Sequence, residues 1–447
     1  MGHAVSSLAR GTGTAKNQLP FDGVAMMSFQ KSSPATAPSV AVIGAGIVGV
    51  CAALALQRDG CRVTVYDPLP PGGGASFGNA GLISIDSVVP IAMPGMLRNV
   101  PRWLTDPQGP LVLRPGYALR AAPWLLRWLR AGRLPAVRAS SQALHALHRP
   151  SLDEYRRLLG AERFAALLRT EGQIHVWESE REGAGDRLAD ELRERLAVPT
   201  ERLDAAALRE LLPGISPAIR RGLLFPRHAH TVEPRRLVQA IAELLQQAGG
   251  ALVAEHAMKI VPQAGGGCRL LTNCGDHLHD GVVVAAGAWS RQLLEPLGVR
   301  LPLETERGYH AELRAPSMPL RIPLVHKDRG FAVTPMANGL RIAGTVEIAG
   351  LAAPPDERRA DTLVAHTQSL FPGLRFERSS AWMGFRPSLP DSLPVIDRLP
   401  RHPGVVVACG HGHFGMTAAS MTARLVSQLV RGEPPAIDLS PYRLSRF

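Results

Sequence analysis

The sequence predicts an α/β protein in two parts, one built around a parallel sheet and the other an inserted α+β part built on an antiparallel sheet. Three observations predict this division. A β-branched run at 40–43 leads through a glycine-rich turn into an apolar helix and a second strand at 62–66. Two later apolar runs also end in glycines, at 280–290 and 405–412. Residues 301–379 instead indicate short strands, with a hairpin signal at Asn338-Gly339.

Length and composition are those of an ordinary globular protein. The chain has 447 residues, enough for two domains, of which 45% are apolar and 20% charged. The formal net charge of +12 raises the question of nucleic-acid binding. However, the basic residues are nearly all arginines scattered among Asp, Glu and Leu, with no run of five like charges. We therefore expect no nucleic-acid partner.

Cysteine usage and the N-terminal segment indicate the compartment. The five cysteines are an odd number without a C-x-x-C pair, so we predict neither a disulfide framework nor a metal site. Residues 1–37 lack the apolar core of a signal peptide and are expected to form a disordered tail. The uncharged stretch 39–57 approaches the length of a membrane span, but its three glycines favour a strand followed by a helix. We expect a cytoplasmic protein.

The first glycine-rich turn has the pattern of a dinucleotide site. Gly44 permits the tight turn, Gly46 lets a pyrophosphate approach the backbone, and Gly49 lets the helix pack against the strand. The N terminus of that helix offers free N–H groups to phosphate. Asp67, at the end of the second strand, can accept hydrogen bonds from the adenosine ribose and would repel the 2′-phosphate of NADP. The cofactor is thus FAD or NAD, the alternative being a glycine-rich turn without a ligand.

A second glycine-rich loop, "PGGGASFGNAGLIS" at 71–84, favours FAD over NAD. A plain nicotinamide-binding domain does not need such a loop directly after the acidic strand, whereas a long flavin cofactor that crosses the sheet does. Ser76 can donate its hydroxyl to a phosphate. The segment from Asn79 through Gly81 to Leu82 can bring backbone N–H groups against the pyrophosphate and the flavin ring.

This loop resembles the A-S-x-x-N-A-G-x-I-S segment of the FAD-dependent D-amino-acid oxidase superfamily, and the chain is most similar to the bacterial D-amino-acid dehydrogenases. The resemblance covers residues 38–447. It implies a discontinuous, Rossmann-like FAD-binding domain with an inserted α+β substrate-binding domain built on an antiparallel sheet. It also implies that Gly287 lies near the adenosine half of FAD. The expected FAD-binding segments are 38–105, 228–300 and 380–447, and the substrate-binding segments are 106–227 and 301–379.

The C-terminal motifs fit the same resemblance. In "WMGFRPSLPDSLPVID" at 382–397, it makes Arg386 the residue that binds a substrate carboxylate, a task suited to a planar guanidinium that stays charged when desolvated. The motif contains no cysteine, so we expect non-covalent FAD. The turn "CGHGHFG" at 409–415 precedes a helix expected near Thr417. The resemblance places this turn against the flavin, with cofactor contacts expected from Gly412, Gly415, Met416 and Thr417.

Three further interpretations stay open. Tyr309 and His310 are candidate catalytic residues on a predicted strand; alternation lets only one of them line the pocket, and we favour Tyr309. His411 and His413 are expected to shape their turn rather than perform chemistry. The segment 114–133 predicts an amphipathic helix with Trp124 on one face and arginines on the other, which either packs on the protein itself or lies on an anionic membrane. In the second case the protein would be peripheral on the inner membrane face.

The predicted activity is FAD-dependent oxidation of an amino acid by hydride transfer to flavin N5, giving an imino acid and then a 2-oxo acid. The expected substrate is a D-amino acid or a D-imino acid such as D-proline or D-hydroxyproline, with a quinone or another electron acceptor. The alternatives are an oxidase that makes hydrogen peroxide, an FAD subunit of a hetero-oligomeric dehydrogenase, and an NAD-only dehydrogenase.

Overall fold

The structure of the chain is a computed structural model that describes residues 37–96, 109 and 111–447, apart from the side chain of Ser379. The predicted tail at 1–37 therefore lies outside the described residues except for Ala37. Residues 97–105 of the first predicted FAD-binding segment, and 106–108 and 110 of the first substrate-binding segment, also lie outside them.

The described residues form 21 strands. In chain order they are β1 (Ser39–Ile43), β2 (Arg62–Tyr66), β3 (Leu82–Ile83), β4 (Leu111–Leu113), β5 (Leu168–Arg169), β6 (Gln173–Trp177), β7 (Glu201–Asp204), β8 (Arg221–Phe225), β9 (Ala229–Thr231), β10 (Ala251–Val253), β11 (Ala257–Pro262), β12 (Cys268–Thr272), β13 (Asp276–His279), β14 (Gly281–Val284), β15 (Glu304–Arg314), β16 (Leu324–His326), β17 (Phe331–Met336), β18 (Gly339–Ile348), β19 (Glu377–Ser388), β20 (Val395–Arg398) and β21 (Val405–Cys409).

The α-helices cover the sheets. They are α1 (Ile47–Arg58), α2 (Ala118–Ala131), α3 (Leu134–His148), α4 (Ser151–Leu167, kinked at Gly160), α5 (Ala184–Arg195), α6 (Ala205–Leu211), α7 (Pro234–Gln247), α8 (Ser290–Leu294), α9 (Arg358–Leu370) and α10 (Gly415–Arg431). Pro234 occupies the first position of α7, where its missing N–H has no partner to lose, and the side chain of Glu233 caps that helix by accepting from the amides of Arg235 and Arg236.

A six-stranded sheet in the order β10-β2-β1-β14-β21-β20 carries the first glycine-rich turn, and the half of the molecule built on this sheet is termed the dinucleotide half. Its strands run parallel except β20, which pairs antiparallel with β21. The central strands are buried on both faces, which explains their continuous β-branched sequences. One face is covered by helices that include α1, α7 and α10, and the other by a three-stranded antiparallel sheet, β11-β12-β13.

A nine-stranded mixed sheet, termed the substrate-side sheet because most of its strands lie in the expected substrate-binding segments, forms the second half. Its main path is β19-β15-β18-β17-β16-β6-β8-β7, and β4 pairs with β18. The hairpin between β17 and β18 lies where the sequence predicts it, with Met336 and Gly339 paired across the turn. The antiparallel pairing of β15 with β18 and β19 gives this half three long strands, of which β19 lies at the edge of the sheet.

Two predicted domain boundaries differ from the packing. The boundary at residue 380 falls inside β19, which pairs with β15 along its whole length, so the segment up to Ser388 belongs to the substrate-side sheet. The helices α3 and α4, predicted within the substrate-binding segment, instead pack on α10 in the core of the dinucleotide half. The hydroxyl of Tyr155 donates to the carbonyl of Met416 at 2.6 Å. The resemblance assigned the segment 106–227 as one unit, whereas its helices divide between the two sheets according to packing.

Candidate active site

The first glycine-rich turn leaves no room for side chains where the backbone must pack closely. Gly44 has a φ of +110°, and a Cβ there would overlap the carbonyl oxygen of Ala285 at the end of β14. A Cβ at Gly49 would overlap the carbonyl oxygen of Gly44. Gly46 is different, because the nearest atom to a Cβ there is the Ser76 hydroxyl at 3.5 Å. The space beside Gly46 is therefore open to a ligand.

Asp67 and Ser76 both bind backbone amides of this turn. A carboxylate oxygen of Asp67 accepts from the amide of Ala45 at 2.7 Å, and the hydroxyl of Ser76 accepts from the amide of Ile47 at 3.0 Å. Helix α1 has no acidic residue in its first turn, and its N-cap residue, Gly46, has no side chain that could cap it. Its positive dipole end is thus available to a phosphate, between the acid and the hydroxyl that the sequence singles out.

The second glycine-rich loop is held by the substrate-side sheet. The buried guanidinium of Arg341 on β18 donates to the carbonyls of Phe77 and Asn79 at 2.9 and 3.0 Å. The side chain of Asn79 accepts from the amide of Gly81, which has a φ of +76°. Leu82 then pairs with His230 in β3 and β9. These contacts fix the loop against the other half of the molecule, and the sequence did not single out Arg341.

The C-terminal turn has the same strand-to-helix form as the first. Gly410 and Gly412 have φ of +80° and +51°, and α10 begins at Gly415, two residues before the predicted start. Thr417 accepts from the amide of Ser84 at 3.0 Å, so the start of α10 lies against the strand that follows the second loop. Met416 is buried beside it. The remaining predicted cofactor residue, Gly287, has a φ of +54° with open space around its Cα.

The alternating faces of β15 separate the two candidate catalytic residues. His310 lies toward the second glycine-rich loop, where its Nδ1 is 3.1 Å from the carbonyl oxygen of Gly78. Tyr309 lies on the opposite face, where its hydroxyl donates to Glu347 at 2.5 Å and accepts from the amide of Asp356 at 3.0 Å. The geometry therefore favours His310 over Tyr309, the reverse of the preference drawn from the sequence. The alternation of side chains along a strand predicts that Tyr309 and His310 lie on opposite faces of the sheet. It does not predict which of the two faces meets the dinucleotide half.

His310 is positioned by stacking. Its ring lies on that of Trp382, with centroids 5.3 Å apart and planes 23° from parallel. Burial lowers the pKa of His310 to about 4, with help from the positive charge of Arg341, so the ring is neutral at neutral pH. Its Nε2 is buried and has no hydrogen-bond partner among the described residues, as expected of an atom that a ligand would satisfy.

Arg386 lies on the same face as His310, one strand away. Its guanidinium covers Gly308, where a Cβ would overlap it, and donates to the carbonyl of Thr345 at 3.0 Å. Thr345 has a φ of +57° at a bulge in the pairing of β15 with β18. Burial lowers the pKa of Arg386, an effect opposed by the charge of Glu306. The strained bulge and the missing side chain at position 308 together fix this guanidinium.

Glu306 is a site residue that the sequence analysis missed. It pairs in register with Arg386 across β15 and β19, it is 5% exposed, and one carboxylate oxygen lies 2.6 Å from Nε2 of His413. Burial would raise the pKa of Glu306, but the charge and hydrogen bond of His413, with the charge of Arg386, outweigh burial and lower it. The signal was present as the polar alternation Glu304, Glu306, His310 and Glu312 on one face of a strand.

The two histidines of the C-terminal turn have different roles. His413 contacts Glu306, as above, and so joins the turn to the substrate-side sheet. His411 points into the core, where its Nε2 lies 3.0 Å from the hydroxyl of Thr422, and burial lowers its pKa to about 3. No group of three His, Cys, Asp or Glu side chains in the described part of the chain could hold a metal ion.

The combination of two strand-to-helix glycine turns, an acid just after the second strand and a polar sheet face opposite them is typical of a dinucleotide-dependent oxidoreductase. A family model described as FAD-dependent oxidoreductase matches residues 39–429. The chain belongs to this family, and its cofactor is FAD. The open space at Gly46 and Gly287 and the first turn of α1, which carries no acidic residue, fit such a group.

Named relatives extend along nearly the whole chain. A D-amino-acid oxidase of Bradyrhizobium diazoefficiens is 38% identical over 415 residues, which are 91% of this chain and 98% of the relative. A D-amino acid dehydrogenase of Cereibacter sphaeroides is 32% identical over 429 residues, 91% and 95% of the two chains. Among solved structures, glycine oxidase from Geobacillus kaustophilus superposes with a TM-score of 0.69 at 23% identity, covering 92% of this chain and 99% of its own. The last likeness shows the shared fold.

Proposed function

We propose that this chain oxidises a D-amino acid, or a D-imino acid such as D-proline or D-hydroxyproline, to the imino acid and then to the 2-oxo acid and ammonia. The observation that carries the proposal is the placement of Arg386 beside His310, on the sheet face that meets the second glycine-rich loop. Both curated relatives described above are named for D-amino acids.

In this proposal Arg386 binds the substrate carboxylate through two parallel N–H···O bonds. Its bond to the carbonyl of Thr345 and its position over Gly308 hold the guanidinium in one orientation, so little entropy is lost when the substrate binds. Bound FAD supplies the acceptor for the hydride that leaves the substrate Cα. His310 is neutral and lies between Trp382 and the loop carbonyl of Gly78, so it shapes the pocket and offers Nε2 to the substrate.

In this scheme the protein side chains perform little acid–base catalysis. The amine must be neutral when the hydride leaves, and orientation then supplies most of the rate enhancement. Tyr309 supports the sheet through Glu347 and does not contact the substrate in this scheme.

The electron acceptor divides the proposal into two forms. We favour a dehydrogenase that passes electrons to a quinone, and the alternative is an oxidase that makes hydrogen peroxide. One of the two relatives is named a dehydrogenase and the other an oxidase. Oxygen consumption by the purified chain with substrate separates them, because only the oxidase consumes oxygen without an added acceptor. A single chain that turns over alone would also argue against a subunit of a hetero-oligomeric dehydrogenase.

Helix α2 supports membrane contact as part of the same proposal. Its tryptophan face packs on the protein, where the indole N–H of Trp124 donates to the carbonyl of Ser388 at 3.2 Å. Its outer face nevertheless exposes Leu119 and Leu126, which are 91% and 58% accessible and two turns apart. Residues 107–152 contain seven arginines and no Asp or Glu. We propose that this basic, leucine-bearing face binds an anionic bilayer and brings the enzyme to its quinone. No helix in the described part of the chain is both long and apolar enough to cross a membrane.

The experiment that tests the proposed function is an anaerobic screen of D- and L-amino acids, including D-proline, for loss of the flavin absorbance band. We expect D-enantiomers to bleach the wild-type band. The Arg386→Ala variant should need at least about a hundredfold more substrate, because a buried charge-assisted pair is lost. The matched control is Arg358→Ala, which removes an exposed arginine that pairs with Asp356. Equal bleaching by wild type and Arg386→Ala would contradict the carboxylate assignment.

A further inference from the structure

The pair Glu306 and Arg386 places a buried negative charge directly beside the carboxylate-binding cation. The two residues oppose each other in the register of β15 and β19. The charge of Arg386 lowers the pKa of Glu306, and the charge of Glu306 raises the pKa of Arg386. Arg386 donates a hydrogen bond to the carbonyl of Thr345, and Glu306 acts on its guanidinium through space, by charge. The cation therefore keeps N–H groups for a ligand while part of its charge is already compensated.

Glu306 is itself held in one position. His413 contacts one of its oxygens at 2.6 Å, and β15 keeps its backbone in the sheet. At 5% exposure the carboxylate is shielded from solvent, so its field on a ligand at Arg386 is weakly screened. Burying an isolated carboxylate costs free energy, because the charge loses its hydration. His413 and Arg386 offset that cost for Glu306.

The charges of the possible ligands differ in a way that this arrangement can detect. A free amino acid at neutral pH is a zwitterion with no net charge, whereas the 2-oxo acid product and simple carboxylates are anions. Arg386 and Glu306 together sum to zero. An anion at Arg386 gains attraction from the guanidinium but is repelled by Glu306, while the ammonium group of a zwitterion is attracted by Glu306 and offsets that repulsion.

We propose that Glu306 is a specificity-determining residue that makes the Arg386 site select zwitterionic amino acids over carboxylates that lack an amino group, including the 2-oxo acid product. This inference rests on the proposed function, since it takes Arg386 as the carboxylate-binding residue. It adds that the same charge favours release of the product, because loss of the amino group removes the attraction to Glu306.

The test compares two ligands that differ only by the amino group and that cannot transfer a hydride to give product: 2-aminoisobutyrate, which has no hydrogen on Cα, and isobutyrate. Their affinities for the oxidised holoenzyme are measured by titration calorimetry near pH 8.5, where histidines are ordinarily neutral. We expect the wild type to bind 2-aminoisobutyrate more tightly. In Glu306→Gln the preference should fall by roughly tenfold or more, mainly because isobutyrate binds more tightly.

The matched variant is His413→Gln, which removes the imidazole but keeps the charge of Glu306. We expect it to retain the wild-type preference. The same loss of preference in His413→Gln and Glu306→Gln would overturn the proposal, because it would assign the effect to the hydrogen bond rather than to the charge. If Glu306→Gln does not fold, the wild type still provides a test. Equal affinity of the wild type for 2-aminoisobutyrate and isobutyrate would overturn this inference but not the proposed function. Absence of binding by either ligand would overturn the carboxylate site and the proposed function with it.

Discussion

The indole ring of Trp382 lies over the α-carbon of Gly78, so closely that a Cβ at position 78 would overlap the ring. Trp382 belongs to the edge strand β19 of the substrate-side sheet, and Gly78 belongs to the second glycine-rich loop of the dinucleotide half. Gly384, two residues along β19, likewise has no space for a Cβ beside the same ring. One aromatic side chain thus joins the two halves at the candidate site, and two glycines make room for it.

This contact leads to the first prediction. Gly78→Ala should displace the loop or the indole, lower the free energy of unfolding by about 1–3 kcal/mol and reduce the FAD content, because the ring is too rigid to yield cheaply. The double variant Gly78→Ala/Trp382→Leu should recover part of both losses. Thermal unfolding and flavin absorbance per protein measure the two effects. A double variant no better than Gly78→Ala would mean that the overlap with the ring is not the cause.

The two glycines of the first turn should fail in different ways. Gly49→Ala should destabilise the protein even without cofactor, because its Cβ meets the backbone of Gly44. Gly46→Ala has open space in the unliganded protein, so its apoprotein should unfold at the wild-type temperature. Its affinity for FAD should nevertheless fall by at least about tenfold, since the methyl group occupies the approach of the pyrophosphate.

Calorimetric melting of the apoproteins and titration with FAD distinguish the two variants. Equal FAD affinity in Gly46→Ala and wild type would show that the pyrophosphate does not lie where the turn indicates.

Stability should fall as the pH is lowered from about 6.5 toward 4. Burial lowers the pKa of several histidines far below the ordinary value, to about 3 or 4; these are His148, His228, His230, His310 and His411. In this window the unfolded chain takes up protons that the folded chain does not, so acid favours unfolding. The stability from burying these neutral rings is fully present above the unfolded pKa.

A single variant checks this pH dependence. His411→Gln can still reach Thr422 but does not titrate, so its free energy of unfolding should depend less steeply on pH, by about 1.4 kcal/mol per pH unit between pH 5 and 6. Urea unfolding at several pH values gives the two slopes. Parallel curves for wild type and variant would contradict the assignment of a buried, neutral His411.

The outer face of α2 supplies the fourth prediction. Replacement of Leu119 and Leu126 by Glu should abolish co-sedimentation with vesicles that contain an anionic lipid, because it removes inserted apolar area and adds negative charge. Flavin reduction by substrate should be unchanged, since both side chains are exposed on the outer face of α2. Vesicles of neutral lipid are the control for the wild type. Equal binding of both proteins to anionic vesicles would exclude this face as the membrane contact.

Local sequence signals predicted much of the fold. The strand β2 has the predicted bounds, α10 begins two residues before its predicted start, and the family and cofactor that the second glycine-rich loop indicated are confirmed. Each of these features depends on residues that are close in sequence. The domain boundaries and the site were harder to predict from the sequence, because helices α3 and α4 could cover either sheet and β19 could belong to either half.

The sequence by itself determined the class of cofactor, the two strand-to-helix turns and the alternation that separates Tyr309 from His310. Only the tertiary structure decided which of the two faces the cofactor half, and that Glu306 lies beside Arg386 and His413, residues 80 and 107 positions away. The physical reason is that the two kinds of feature depend on interactions over different distances along the chain. Turns and periodicity come from the steric rules of neighbouring residues, whereas the partner of a buried charge is chosen by strand register and packing across the whole chain.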